Sequence, residues 1–246
     1  MGTLKNQILG DVSGKVGCII GRKRKGKFFI YAAPGEVKIS NTPEAIKSRS
    51  IMIPLAKFAS VVNSIPELKY FWLKSKINAF DAFHKIERLN YPFLTFEKPT
   101  IYNTIVPEIF IKNEINEASI SSKGIKLTIL SGEKAEKQLK RGKVLTGIGV
   151  ICYFNPKMKE MDYFHLSKVR TSPIEMKIDK QIEVDIPFNA DERSNYNSYL
   201  NSILYFTIVS KDNYGEPLKF FCNYRNEFRH EFTDEKERFS LRDSQP

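Results

Sequence analysis

The chain has 246 residues, 41% hydrophobic and 27% charged, with 18 Phe and 11 Tyr, which excludes disorder throughout and suits one large packed domain or two modest ones. Its formal charge is +11 at pH 7, and the excess is uneven: residues 1–100 hold 17 Lys/Arg against 7 Asp/Glu, and 101–246 hold 22 against 21. Such a basic N-terminal part suits an anionic partner.

No stretch approaches the roughly 20 apolar residues of a membrane span. The first twenty residues carry Lys5, Asp11 and Lys15 without an apolar core, so neither a span nor a secretory signal is expected, and the cytoplasm is the default compartment. Cys18, Cys152 and Cys222 are odd in number and scattered, which argues against a disulfide framework or a compact zinc site and predicts buried, reduced thiols.

The first element is GDVSGKVGCIIGRKRKGK, residues 10–27. A phosphate-binding loop needs four residues between its first glycine and the Gly-Lys pair, then a hydroxyl for magnesium. Only three residues separate Gly10 from Gly14, and Val16 follows Lys15. A β-hairpin fits instead, with VGCII (16–20) and KFFIY (27–31) as strands and Gly14, Gly17, Gly21 and Gly26 serving backbone geometry. Arg22, Lys23, Arg24 and Lys25 then stand at the tip, with Lys15 and Lys27 beside them, as candidates for anion or nucleic-acid binding. Period-two alternation puts Phe28 and Ile30 on one face and Phe29 and Tyr31 on the other, so at least one pair is expected in a core.

Helices follow. Thr42 as N-cap, Pro43 at the first position and Glu44 open one that runs past Ile51, Leu55, Phe58 and Val62, with a kink or break expected at Pro54. Ser64 and Glu67 form a capping-box pattern before PELKYFWLK. Ile77, Phe80, Phe83 and Ile86 recur at helical spacing, with His84 as a packing or surface residue. The Pro-interrupted NYPFLTFEKPT (90–100) reads as a linker, because charge and periodicity both change there.

Beyond it SISSKGIKLTIL, KVLTGIGVICYFNP, MDYFHLSKVR, IEMKIDKQIEVDIPF, ILYFTIVSKD and LKFFCNY read as strands of an antiparallel sandwich. Ile178, Ile182, Val184 and Ile186 mark a face turned to a core. EKAEKQLKR (133–141) reads as a solvated charged segment, and the end of the chain as a polar tail. The expected organisation is α+β and mainly β: a basic hairpin-plus-helices domain over 1–98, a β-sandwich over 99–232 and a tail over 233–246.

Several of these segments together resemble a family of uncharacterised Bacteroidota proteins. They are LGDVSGKVGCIIGRKRKGKFFIYAAP, NTPEAIKSR and the C-terminal VICYFNP…PIEMKIDKQIEVDIPF…LYFTIVSKDNYGEPLKFFCNY. Ser13, Gly14, Lys15, Val16, Gly17, Gly21, Lys25, Gly26, Pro34, Thr42, Pro43 and Arg49 fall on the family's N-terminal signature. The chain departs from it at Tyr31, Ala32, Ser40 and Ile46. The resemblance implies a terminal immunoglobulin-like β-domain. Because related signatures occur in phage and prophage proteins, it also implies a virion- or assembly-associated role.

His84, His165 and His230 are isolated, and no G-x-S-x-G, H-E-x-x-H or Cys–base pattern occurs, so no catalytic residues, metal or cofactor are expected. The leading expectation is a non-enzymatic structural or interaction protein that binds a protein partner or itself. The alternative is nucleic-acid binding through residues 15–27. No membrane partner is expected.

Overall fold

The computed structural model describes residues 2–3, 14–24, 26–33, 35, 39–108, 115–129, 144–174, 182–212 and 214–230. The expectations placed on Ser13, Lys25, Pro34, Ile178, the stretch 133–141 and the tail 233–246 lie outside these residues, as do those on the side chains of Val16, Arg24 and Ile182. The fold is mainly β with antiparallel sheets and four α-helices among the described residues. Two compact units divide the chain, Met1–Ile46 and Lys47–Pro246.

The first unit holds a four-stranded antiparallel sheet of β1 (Gly2–Thr3), β2 (Gly14–Val16), β3 (Ile19–Arg24) and β4 (Lys27–Ala32), in the order β1-β4-β3-β2. The expected strand VGCII is broken in two: Val16 pairs with Ile19 around a turn at Gly17 and Cys18. Gly17 has φ +58°, a left-handed conformation that glycine adopts without a Cβ clash. The tip also differs from expectation, since Arg22, Lys23 and Arg24 are paired strand residues, and Gly26 stands in a turn at φ +74°.

Helix α1 (Pro43–Asn63) then begins at the expected place: the Thr42 hydroxyl accepts from the Ala45 amide, and Pro43 takes the first position. Its buried residues Ile51, Pro54, Leu55, Phe58, Ala59 and Val62 recur at three and four, one apolar stripe of a 3.6-residue helix. The helix runs through Pro54 without a break. Burying the ring as part of the stripe offsets the donor lost opposite the Ser50 carbonyl.

In the second unit α2 (Pro66–Lys74) and α3 (Ala82–Asn90) follow α1, and β5 (Ile115–Ser121) to β12 (Tyr224–Arg229) follow them. One sheet has the order β5-β6-β9, with β6 at Gly124–Ile129 and β9 at Ile182–Pro187. The other has β11-β10-β7-β8, made by β7 (Val144–Pro156), β8 (Phe164–Ile174), β10 (Tyr199–Lys211) and β11 (Pro217–Phe220), with β12 also paired to β10. Helix α4 (Ala190–Ser198) joins β9 to β10 and carries a complete capping box between Asn189 and Glu192.

The central strands of the second sheet, β7 and β10, are buried on both faces. Ile151 and Tyr153 of β7, with Leu204, Phe206 and Ile208 of β10, pack with Ile125, Leu127, Val184 and Ile186 of the three-stranded sheet. Ile148, Val150, Cys152 and Phe154, with Ile203, Tyr205 and Val209, pack with Phe58, Leu68, Trp72 and Ile86 of the helices. A division at residue 98 therefore runs through one core. The segment expected as a linker is anchored inside it: Asn90 donates to the Ile86 and Thr104 carbonyls and accepts from the Thr104 amide, and Asn103 donates to the Asn90 carbonyl.

Candidate anion-binding sheet

The strand register of the first unit sorts its side chains. Arg22 lies opposite Phe29, Ile20 opposite Tyr31, and Lys15 opposite Ile20. Directly paired residues share a face and so do residues two apart on a strand, so Lys15, Ile20, Arg22, Lys27, Phe29 and Tyr31 occupy one face. The other carries Ile19, Gly21, Lys23, Phe28, Ile30 and Ala32, and there the Lys23 ammonium lies 4.8 Å from the Phe28 ring centre. Lys15, Arg22 and Lys27 are exposed, and Phe28, Phe29, Ile30 and Tyr31 are all half-buried. Neither pair, Phe28 with Ile30 or Phe29 with Tyr31, is fully enclosed, in contrast to the expectation that at least one would lie in a core.

Of the predicted cations, the register places Lys15, Arg22 and Lys27 on one face of the sheet and Lys23 on the other. Gly14, Gly17 and Gly26 all have positive φ, at +108°, +58° and +74°. Gly21 differs from expectation: it is a buried mid-strand residue between Gly14 and Ile30, because β3 continues past it. Cys18 is exposed in its turn, unlike the buried Cys152 and Cys222. Burial pushes the Cys152 thiol up to about 12, far from thiolate chemistry at neutral pH.

No family model, curated protein or solved structure matches this chain.

Two polar clusters in the second unit escape sequence reasoning because their members are far apart in the chain. His230 Nδ1 faces the carbonyls of Tyr196 and Tyr199 at 3.0 and 2.8 Å, so this nitrogen carries the proton. Nε2 is 3.0 Å from the Ser202 hydroxyl, which donates to it. A serine–histidine hydrogen bond is the geometry of an activated nucleophile, yet Ser202 is 0% and His230 4% exposed. The ring stacks on Tyr196 at 4.0 Å. The pair therefore fastens the chain after β12 to β10.

In the second cluster Glu67, expected as a helix-capping residue, receives Arg170 at 2.5 Å and Lys211 at 2.6 Å. The α2 N-cap is Ile65, and Ser64 donates to the Val61 carbonyl instead. Burial of Glu67 would raise its pKa, but the Lys211 hydrogen bond and the two cations outweigh it and hold the carboxyl below the ordinary value. The ion pairs tie α2 to β8 and β10. His84 lies on the surface, 2.8 Å from the Asp81 carboxylate that caps α3. Among the described residues, no three His, Cys, Asp or Glu are grouped to hold a metal ion, and no single helix is long and apolar enough to cross a membrane.

Proposed function

We propose that this chain is a non-enzymatic interaction protein, in which a fibronectin- or immunoglobulin-like sandwich is the scaffold and the N-terminal sheet engages an anionic partner. The strand orders support the scaffold reading: lettered along the chain, β5-β6-β9 corresponds to A-B-E, and β8-β7-β10 with β11 and β12 corresponds to C′-C-F-G. Helix α4 lies at the E–F crossover, where such folds carry the chain between sheets. Membership of a phage-like or cell-associated assembly is the biological setting that the sequence resemblance implies.

The observation that carries the binding reading is the face on which Lys15, Arg22 and Lys27 stand together. Three exposed cations on a small sheet repel one another in the absence of counter-charge, and a polyanion relieves that repulsion. The test is retention of the full chain on heparin at low salt. Wild type is expected to bind and elute with rising salt, whereas a Lys15→Gln, Arg22→Gln, Lys27→Gln variant elutes earlier at an unchanged melting temperature. Equal elution of the two would refute the assignment of this face.

A further inference from the structure

We infer that the partner of this face is a single-stranded nucleic acid, whose bases stack on Phe29 and Tyr31 while Lys15, Arg22 and Lys27 hold its phosphates. The inference rests on the anion-binding reading above and goes beyond it in naming the polyanion. A charged protein surface or a rigid duplex asks only for cations. A single strand also offers unpaired base faces, and those need aromatic rings among the cations.

The register supplies that interleaving. Along β4 the face reads Lys27, Phe29, Tyr31, and beside it on β3 stand Ile20 and Arg22, the arginine directly opposite Phe29. Residues two apart on a strand lie about 6.7 Å apart, close to two stacking repeats of roughly 3.4 Å along a nucleic-acid strand. Consecutive bases therefore reach both rings only when they are unstacked from each other, which a single strand allows and a duplex does not. Lys15, on β2, flanks the same row through Ile20, so cations border the rings on two sides. Phe29 and Tyr31 are half-buried, so part of each residue is open to a ligand. The opposite face lacks this arrangement: Lys23 is its one described cation, and that ammonium lies over Phe28.

A salt-dependent electrostatic term with a sequence-tolerant stacking term predicts little base preference and a clear preference for single strands. Fluorescence anisotropy on the full chain tests it, with labelled 12-nucleotide oligo(dT) and oligo(U), a 12-base-pair duplex and polyglutamate as probes. Both oligonucleotides should bind at least tenfold more tightly than the duplex or polyglutamate. Phe29→Leu and Tyr31→Leu should each weaken oligonucleotide binding by roughly 5- to 150-fold and leave the salt slope unchanged. The Lys15→Gln, Arg22→Gln, Lys27→Gln variant should lower that slope by about 2, from about 0.7 per phosphate contact.

Duplex or polyglutamate binding as tight as the oligonucleotides would overturn the inference and leave the anion-binding reading standing. So would leucine variants that bind like wild type. Binding to none of the probes would overturn both. The comparison among probes uses the wild-type protein, so it decides the question even where a leucine variant fails to fold.

Discussion

Replacing Glu67 should reveal how tightly α2 is fastened to β8 and β10. The Glu67 side chain is 6% exposed and that of Lys211 18%, whereas that of Arg170 is 50% exposed. Glu67→Gln removes the negative charge, leaves Lys211 largely buried without its counter-ion, and frees Arg170 to hydrate. Breaking a buried pair costs about 3–5 kcal/mol. Retained hydrogen bonding by the amide and the exposure of Arg170 reduce this to about 2–4 kcal/mol. For a unit of this size the loss lowers the melting temperature by about 4–16 °C.

Urea unfolding at pH 7 measures it, followed in parallel by far-ultraviolet circular dichroism and by fluorescence of Trp72, the one tryptophan. Trp72 is 0% exposed, and its indole donates to the Ile105 carbonyl at 2.8 Å. It therefore reports on the helix–sheet core. The two probes should give coincident transitions in wild type and variant. Because the folded Glu67 carboxyl titrates below its ordinary value of 4.5, its contribution is present above that pH and lost as pH falls through the lower folded value. The Gln variant should lack that part of the acid limb. A change under 0.5 kcal/mol, or a tryptophan transition separate from that of the strands, would refute a common core clamped by this residue.

Gly149→Ala should destabilise by about 1–3 kcal/mol in the same assay: the added Cβ would lie 2.8 Å from the Tyr205 carbonyl oxygen and 2.9 Å from both Phe206 and Val169, and overpacking outweighs the entropic gain of losing a glycine. An equal or higher melting temperature would contradict that packing. The Tyr153 hydroxyl is buried with no hydrogen-bond partner among the described residues, so Tyr153→Phe should raise stability by about 1 kcal/mol; a loss of that size would reveal a partner outside them. Burial holds the His230 pKa below its usual 6.5 despite the two carbonyl partners. Its stabilising effect is therefore full above about pH 6.5 and declines as pH falls toward the folded value. His230→Phe should flatten the stability profile between pH 7.5 and 5, with His165, which desolvation also holds low, contributing to the slope that remains and Glu87, which desolvation raises, opposing it at the acid end. An unaltered profile would assign the effect elsewhere.

Local chemistry determined what neighbouring residues determine. Thr42 and Pro43 open α1 because capping and a fixed φ act within one turn, and alternation in IEVDIP places Val184 and Ile186 inward and Glu183 and Asp185 outward. The types that make up the candidate face, basic and aromatic within 15–31, were equally legible. Which of them share a face was not: it depends on the turn at Gly17 and Cys18, and a one-residue slip would move Lys15 to the other side of the sheet.

Tertiary packing decided the rest. The sequence of β7, LTGIGVICYF, is apolar at nearly every position, which a sandwich strand with one wet face does not require. The reason lies in α1, α2 and α3, which cover its second face with Phe58, Leu68, Trp72 and Ile86. The shift in charge near residue 100 suggested a domain boundary, but net charge reports on surface and partners, while a domain is set by shared buried area. Glu67 matched a local capping pattern, yet two cations more than a hundred residues away, Arg170 and Lys211, offered its carboxylate a stronger partnership than a backbone amide could, and only the fold brings them within reach.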